Sequence, residues 1–175
     1  MPTIVDYQVI GAVDLTLRDL LWSEMQSDTM ITSILASELQ ITMDPPFNLV
    51  KDTELENNAL SLYLYRVDSG GSWKDVPPQQ ADAPQPLALN LFYLMTPLTI
   101  SADNDHTLLG KALQIFHQHP ILSGSSLKGV LMGTDLHLKV TPLIVSQEEL
   151  QNLWSAFKRP YRLSISYQVT GAFID

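Results

Sequence analysis

The chain has 175 residues, a formal net charge of −9, only ten Lys and Arg, and no Cys. A composition that is 45% hydrophobic and 17% charged is typical of a folded globular protein and argues against a disordered one. The scarcity of cations on an acidic chain argues against binding to nucleic acid and against direct membrane binding through anionic lipid. The lack of Cys excludes disulfides, thiolate metal sites and a cysteine nucleophile.

The N-terminal residues do not predict a signal peptide. Asp6, Asp14 and Arg18 interrupt what would have to be a continuous apolar segment. No window of about 18 apolar residues predicts a membrane span. We therefore expect a protein that is made and used in solution.

In chain order, the first predicted element is an amphipathic helix within residues 4–24. Residues 25–39 fit either a short helical turn or a partly ordered connection. A short strand is predicted over Leu39–Met43, ending at the Asp-Pro-Pro of residues 44–46. The apolar stripe that predicts the helix consists of Ile10, Val13, Leu17, Leu20 and Leu21.

Two apolar segments predict the central strands. Residues 59–67 alternate in side-chain type but are fairly apolar on both faces, which predicts a strand covered on both sides. Leu87–Leu98 is the most apolar run of the chain and predicts the central strand of the sheet.

A long connection separates these two strands. It contains a predicted turn over residues 68–72 and a proline-rich loop over residues 74–86, which holds four of the eleven prolines. Loops of this length are uncommon inside compact domains and are usually functional or disordered. We therefore predict a segment that contacts a partner, with Trp73 as a candidate contact anchor. A Trp73 side chain folded onto its own domain is equally consistent with the sequence.

The next part of the chain combines a helix with a predicted hairpin. Residues 101–105 are predicted to form an acidic loop, followed by a helix over residues 106–118. Leu127–Met132 and Leu136–Leu143 are predicted as two strands joined at the Gly-Thr-Asp of residues 133–135.

The C-terminal run has the clearest pattern. Ser146 and Glu149 form a capping-box pattern, which predicts the start of a helix that Pro160 ends. A strand with two unlike faces is predicted from Tyr161 to Thr170. Its apolar face would carry Tyr161, Leu163, Ile165, Tyr167 and Val169. Its polar face would carry Arg162, Ser164, Ser166, Gln168 and Thr170. The polar face could meet water, a helix or a neighbouring subunit, and we take Arg162, Ser164, Ser166 and Gln168 as candidate partner contacts.

These elements predict a single α+β (α/β) domain over residues 1–175. We expect one mixed, mostly antiparallel sheet of about four to six strands with about three helices. We find no internal repeat in the sequence.

The search for chemistry yields one weak candidate. Asp103, Asp105, His106, His117 and His119 form a stretch rich in oxygen and nitrogen ligands. Their spacing matches no known ligand set, since a helical metal pair requires a separation of three or four residues. No nucleotide-binding loop, zinc-protease motif or nucleophile elbow is present. We therefore expect no catalytic residue, no metal and no cofactor, and a role in binding or assembly.

Several stretches together resemble one family. L-N-L-F-Y-L-M-T at residues 89–96, residues 106–124 and residues 146–169 are similar in order and spacing to cap proteins of phage-tail-like extracellular contractile injection systems. The helix at residues 12–21 and the D-P-P at residues 44–46 agree with this resemblance. It extends over nearly the whole chain.

The resemblance implies a fold and a role. It implies a domain like that of phage tail-terminator proteins, assembled as a homohexamer ring that ends the inner tube and contacts the sheath end. The implied partners are other copies of the chain, the inner tube protein and the sheath protein. The implied location is the bacterial cytoplasm during assembly and then the end of the particle, cytoplasmic or released. Some family members carry an additional C-terminal domain, and we expect its functions to be absent from a chain that ends at Asp175.

Two alternatives remain open at the level of sequence. One is a small metal-dependent hydrolase that uses the Asp103–His119 region. The other is an adaptor or anchoring module, which would need another protein to reach a membrane because the chain is acidic.

Overall fold

A computed structural model describes residues 6–51, 54–55, 57–69 and 86–174. Six strands form one sheet in the order β1-β4-β5-β8-β7-β6, and β2 and β3 form a separate antiparallel pair. Within the six-stranded sheet all neighbours are antiparallel except β1 and β4. The strands are β1 (Ile41–Thr42), β2 (Val50–Lys51), β3 (Glu54–Leu55), β4 (Ala59–Ser69), β5 (Leu87–Leu98), β6 (Ile121–Ser123), β7 (His137–Leu143) and β8 (Ile165–Ile174).

Within the described ranges, four α-helices accompany the sheet. They are α1 (Val9–Met25), α2 (Thr29–Thr32), α3 (Ala102–Gln118) and α4 (Gln147–Ala156). Short 3₁₀ turns lie at Glu38–Gln40, Pro46–Asn48, Gly124–Ser126 and Gly129–Leu131. The predicted fold class, an α+β arrangement on a mixed and mostly antiparallel sheet, is confirmed.

The main core lies between one face of the sheet and helices α1 and α3. Tyr93 at the centre of β5 is fully buried there, and its hydroxyl donates to the Asp14 carboxylate on α1 over 2.6 Å. Phe116 of α3 packs edge-on against Tyr167 of β8 with ring centroids 4.8 Å apart. The apolar stripe predicted for α1 faces this core, which confirms the amphipathic helix.

The opposite face of the sheet is covered by α4 and a group of aromatic rings. Phe157, just after α4, lies 4.9 Å from Phe47 and 5.9 Å from Tyr63 of β4 between ring centroids. Trp154 of α4 is 2% exposed, as expected for a core residue. The prediction that the strand over residues 59–67 is covered on both sides is therefore confirmed only for its first part, since residues 59–62 are buried whereas Arg66 and Val67 are exposed.

Strand β5 is one of the two middle strands of the six, between β4 and β8, in agreement with the predicted central strand. Between Leu89 and Leu91 the register with β8 shifts, so that Thr170 and Gly171 lie opposite the single residue Asn90. This is a β-bulge, and Gly171 adopts φ +95° there. The strand continues through the bulge to Ile174, beyond the predicted end at Thr170.

The predicted strand over residues 127–132 is wrong. The Lys128 amide donates to the Thr16 hydroxyl on α1 over 3.0 Å, and Leu127 and Leu131 are buried. Gly129 adopts φ +58° and packs close to α1, which turns the segment into a 3₁₀ turn. Attachment to α1 thus overrides the local strand pattern, and β7 pairs with β6 instead.

The predicted acidic loop at residues 101–105 is the first turn of α3. Ser101 is the N-cap residue, and Asp103 and Asp105 lie where the helix N-terminus carries partial positive charge. Asp105 also accepts from the Thr99 amide over 2.8 Å. The acidic residues therefore start the helix, which ends at Gln118 as predicted.

The C-terminal unit is partly as predicted. The capping box at Ser146 and Glu149 is present and α4 follows it. The strand begins at Ile165 rather than Tyr161, since Lys158 adopts φ +55° and the chain first runs back along the end of the sheet. As a result Tyr161 and Leu163 are 42% and 44% exposed, and their predicted placement on a buried strand face is wrong.

Residues 25–39 contain the helical turn α2, capped by the Asp28 side chain. The short strand predicted over Leu39–Met43 is only Ile41–Thr42, because Gln40 closes a capping box with Ser37 and holds Leu39 in a turn. Trp73, residues 70–72 of the predicted turn and residues 74–85 of the proline-rich loop lie outside the described residues.

Candidate assembly surfaces

Two of the candidate contact residues lie inside the chain rather than on its surface. Ser164 is 5% exposed and its hydroxyl accepts from the Trp154 indole over 3.2 Å. Ser166 is 2% exposed and its hydroxyl lies 2.8 Å from that of Tyr65. Of the three options for the polar face of β8, the structure therefore supports cover by a helix. Neither serine is placed to contact a partner while α4 is docked.

The other candidates differ in position. The Arg162 guanidinium donates to the Thr99 carbonyl and to the Asp105 carboxylate, each over 3.2 Å, and so ties the start of β8 to the junction of β5 and α3. Gln168 is partly exposed within β8. Partner contact by Arg162 and Gln168 stays a prediction, and Trp73 lies outside the described residues.

The residues of the hydrolase alternative do not come together. Asp103 and His117 lie near opposite ends of α3, a separation of roughly 21 Å at about 1.5 Å per residue. Asp105 is engaged by Arg162, and His119 lies 3.6 Å from Glu24. Among the described residues no group of three or more His, Asp and Glu could hold a metal ion. The structure thus gives the hydrolase alternative no support.

The most notable surface feature is a set of exposed apolar side chains at one end of the sheet. At this end β5 and β7 finish and β1, β4 and β8 begin, as the pairs Ala59–Leu98, Met95–Ile165 and Leu143–Ser166 show. Four of these strands have such residues just before their first or just after their last residue, at this same end. We call this surface the apolar end, and it consists of Leu39, Ile100, Ile144, Tyr161 and Leu163.

The apolar end is unusually exposed. Ile144 is 100% exposed, Ile100 is 87% exposed and Leu39 is 81% exposed. Leu39 lies beside β1 and Ile144 beside β7. These two strands are four strand spacings apart, so the residues are spread over about 19 Å at about 4.8 Å per spacing. Exposed apolar surface of this kind, collected from several chain segments, is typical of a protein interface.

Sequence reasoning missed the apolar end because its residues are separated along the chain. Ile100 and Ile144 each stand just past the last residues of a strand, where a polar turn residue would be ordinary. An isolated large apolar residue at a strand end is the signal that could have indicated them.

A second feature is the outer edge of β4. On that side β1 pairs only with Leu60 and Ser61, and no described strand pairs with Leu62–Ser69. On the opposite edge, β6 covers only the first part of β7. There Pro142 occupies the unpaired stretch, and proline cannot donate to an added strand. Within the described chain, β4 is therefore the edge better suited to accept another strand.

The far end of the β4 edge is charged. Arg66 forms an ion pair with Asp68, and its guanidinium carbon lies 4.8 Å from the centre of the Phe92 ring. The hydrogen bond from Arg66 lowers the pKa of Asp68 below its ordinary value of 3.8. Charged side chains on an edge strand oppose unselective pairing between sheets, so this edge favours a specific partner strand.

A groove of about 520 Å³ lies beside β1 next to Leu39. Its amide side chains are used within the chain, since Gln40 donates to the Asn58 carbonyl over 2.9 Å and Asn58 donates to the Ile34 carbonyl over 3.2 Å. These hydrogen bonds hold the residues around β1 together, and the groove is therefore part of the architecture of that region.

No helix in the described part of the chain has the length and apolar character to cross a membrane.

Comparison with solved structures shows the same fold in two particles. Over 97% of this chain and 57% of the other, the structure is similar to the sheath/tube terminator of the PVC extracellular contractile injection system in its extended state, with a TM-score of 0.65 and 18% identity. Over 93% and 53%, it is similar to the tube-terminating cap of the anti-feeding prophage, with a TM-score of 0.59 and 16% identity. The chain thus spans somewhat more than half the length of each.

A search among curated proteins found no match. The family model described as the Pvc16 N-terminal domain matches residues 12–175, which is nearly the whole chain. The chain therefore belongs to the Pvc16 N-terminal domain family.

Proposed function

We propose that this protein is a structural cap that terminates the inner tube of a contractile injection particle and contacts the end of its sheath. Its family and its fold, shared with two proteins described as terminators or caps, support this role. The observation that carries the proposal is the apolar end, a wide exposed surface suited to contact with another protein. The role is one of assembly and not of catalysis.

The proposed assembly is a homohexamer ring whose partners are the inner tube protein and the sheath protein. A ring needs two different surfaces on each copy, which meet head-to-tail. The rotation between neighbouring copies must also bring the last copy into contact with the first. In this arrangement the apolar end of each copy faces the last ring of the tube. Residues 1–175 act as one unit, since the sheet takes strands from residue 41 to residue 174.

The sheath contact is proposed at the outer edge of β4. An extended arm of a sheath subunit would add as a strand beside Leu62–Ser69. Arg66 and Asp68 would then lie beside the added strand. Trp73 and the loop over residues 74–86 are proposed as a further contact, and a variant without residues 76–85 is expected to fold but to assemble poorly.

The proposed location follows from the role. The protein assembles in the bacterial cytoplasm and then remains at the end of the particle, whether that particle stays inside the cell or is released. The two similar structures support a place at a particle end, since both are described as terminators or caps.

The test uses substitutions at the apolar end with a matched control at the other end of the sheet. We expect Ile100→Lys combined with Ile144→Lys to fold normally, because both side chains are at least 87% exposed. The same variant should fail to occupy particle ends, since a lysine cannot replace an isoleucine that contributes about 1.5–3 kcal/mol when buried. Ile121→Lys, at a position 57% exposed on β6, is the control and should assemble normally.

The readout is the occupancy of particle ends in negative-stain images, together with the length distribution of the tubes. Loss of caps and longer, irregular tubes with the double variant alone would support the proposal. Normal caps with the double variant would contradict the role of the apolar end. A chain that never co-purifies with tube or sheath protein, even as wild type, would contradict the proposed function itself.

A further inference from the structure

Helix α4 is attached to the sheet far more weakly than the other long helices. Of its ten residues only Trp154 is buried, whereas α1 buries eight residues and α3 buries five. The free energy that holds a helix in place scales with the apolar area it buries. Elements with few buried contacts open most readily in the native state, so α4 is the long helix most suited to local opening.

The sheet surface beneath α4 is mixed, because the fully buried Leu94 lies on it between Tyr63 and Ser166, beside several hydroxyl groups. Ser61 and Thr96 are directly opposite each other on β4 and β5, and Ser164 lies just before the start of β8. All three are at most 5% exposed. In the part of the chain that the structure describes, the Thr96 hydroxyl has no hydrogen-bond partner, and burial of an unpaired hydroxyl costs free energy. Movement of α4 away from the sheet would return this hydroxyl to water. That gain would offset part of the free energy lost when the contacts of α4 break.

Both ends of α4 are capped within their own chain segment. The Glu149 amide donates to the Ser146 hydroxyl over 3.1 Å, and the Ser146 amide donates to the Glu149 carboxylate over 2.9 Å. At the other end the Lys158 amide donates to the Ser155 carbonyl over 3.0 Å. These hydrogen bonds all join residues of the segment from Ser146 to Lys158, so they can move together with α4.

The hydrogen bond and ring contacts that hold α4 down lie at its C-terminal end, while at its N-terminal end the Glu149 carboxylate is attracted by the Arg66 guanidinium of β4. The Trp154 indole donates to the Ser164 hydroxyl over 3.2 Å. Phe157 contacts Phe47 and Tyr63 through ring edges and tilted faces. Within the described chain, the indole bond is the one side-chain hydrogen bond from α4 to the residues leading into β8.

We propose that α4 is a hinged cover that opens without unfolding of the core between the sheet and helices α1 and α3. Opening uncovers a mixed surface that consists of Tyr63, Leu94, Thr96, Ser164 and Ser166. The hinges are the segments that flank the helix, before Ser146 and after Phe157. This inference concerns the isolated chain and does not depend on the proposed function.

The absence of native Cys allows a direct test by thiol labelling. Thr96→Cys places a thiol beneath α4 without removing a hydrogen bond, since Thr96 is fully buried and its hydroxyl has no partner among the described residues. Val169→Cys is the matched control, because Val169 is fully buried on the opposite face and has nearly the same size. Each variant is incubated with a thiol reagent at several low denaturant concentrations.

We expect the Thr96→Cys thiol to react at least about tenfold faster than the Val169→Cys thiol, with little dependence on denaturant. Trp154→Phe removes the indole tether and should accelerate labelling at position 96 about fivefold to tenfold, with little change at position 169. Equal rates with the same steep denaturant dependence at both positions would show that α4 opens only on global unfolding and would overturn the proposal. A Trp154→Phe variant that folds and leaves the rate at position 96 unchanged would also overturn it.

Discussion

The hydroxyl of Tyr93, in the middle of the central strand, donates a 2.6 Å hydrogen bond to the carboxylate of Asp14 on α1, 79 residues earlier in the chain. Burial raises the pKa of the Tyr93 phenol well above its ordinary value of 10.0, and the negative Asp14 beside it acts in the same direction. The phenol therefore remains a donor, and it fixes the position of α1 on the sheet.

The first prediction concerns this bond. Tyr93→Phe keeps the ring but leaves the half-buried Asp14 carboxylate without its donor. We expect a loss of about 1–3 kcal/mol in the free energy of unfolding, measured by chemical denaturation at neutral pH. In a variant that already carries Asp14→Asn, the same change should cost less, and equal costs in both backgrounds would show that the two residues are not coupled.

The second prediction concerns pH. Desolvation by burial raises the pKa of Asp14 above 3.8, although the bond from Tyr93 and the charge of Arg18 oppose the shift. A raised carboxyl pKa means that the folded state binds the proton more tightly than the unfolded state. The protonated Asp14 therefore stabilises the folded state relative to the unfolded state below pH 3.8. This contribution is lost as pH rises through the folded-state pKa of Asp14.

Asp14→Asn removes this titration. We therefore expect the stability of the variant relative to wild type to increase as pH rises from about 4 and then to level off once Asp14 is ionised in the folded protein. Denaturation curves at several pH values measure the difference. A difference that is constant from about pH 4 to pH 7 would contradict the raised pKa.

The third prediction concerns the bulge at Gly171. A Cβ there would lie 2.0 Å from the His137 carbonyl oxygen, and φ is +95°, so both packing and backbone oppose any other residue. Gly171→Ala should lower the free energy of unfolding by about 3 kcal/mol or more. Gly133→Ala is the control, because Gly133 also has positive φ but has open space around it. It should cost only about 1–2 kcal/mol, and equal losses would show that the contact with His137 does not matter.

The fourth prediction concerns the covered face of β8. Ser166→Arg would bury a charge that has no partner beneath α4, since Ser166 is only 2% exposed. We expect a loss of about 3–5 kcal/mol, measured by thermal or chemical unfolding of the isolated chain. Gln168→Arg, at a partly exposed position two residues away, should fold with nearly normal stability. Normal stability of Ser166→Arg would mean that this face is open to solvent.

Much of the fold could be predicted because local pattern and tertiary position agree. The stripe on α1, the apolar run of β5 and the capping box at Ser146 each give the same result alone and in the folded chain. The family resemblance rested on the same segments, and the family match over residues 12–175 includes all of them.

The misses share a physical cause, which is competition from a distant contact. Leu127–Met132 has strand-like residues, but the bond from Lys128 to Thr16 attaches the segment to α1, 112 residues away. The alternation from Tyr161 to Leu163 is equally strand-like. There the turn at Lys158 and the bond from Arg162 to Thr99 hold the chain at the end of the sheet.

The sequence by itself determined the elements whose stability is local: α1, the start of α4, the central strand, and an acidic composition that disfavours nucleic acid. The tertiary structure alone decided which side chains share a surface. Strand order brings Leu39, Ile100 and Ile144 to one end, although more than a hundred residues separate the first from the last. It also places Ser164 and Ser166 beneath α4, because period-two alternation shows that a strand has two faces and cannot show what covers each face.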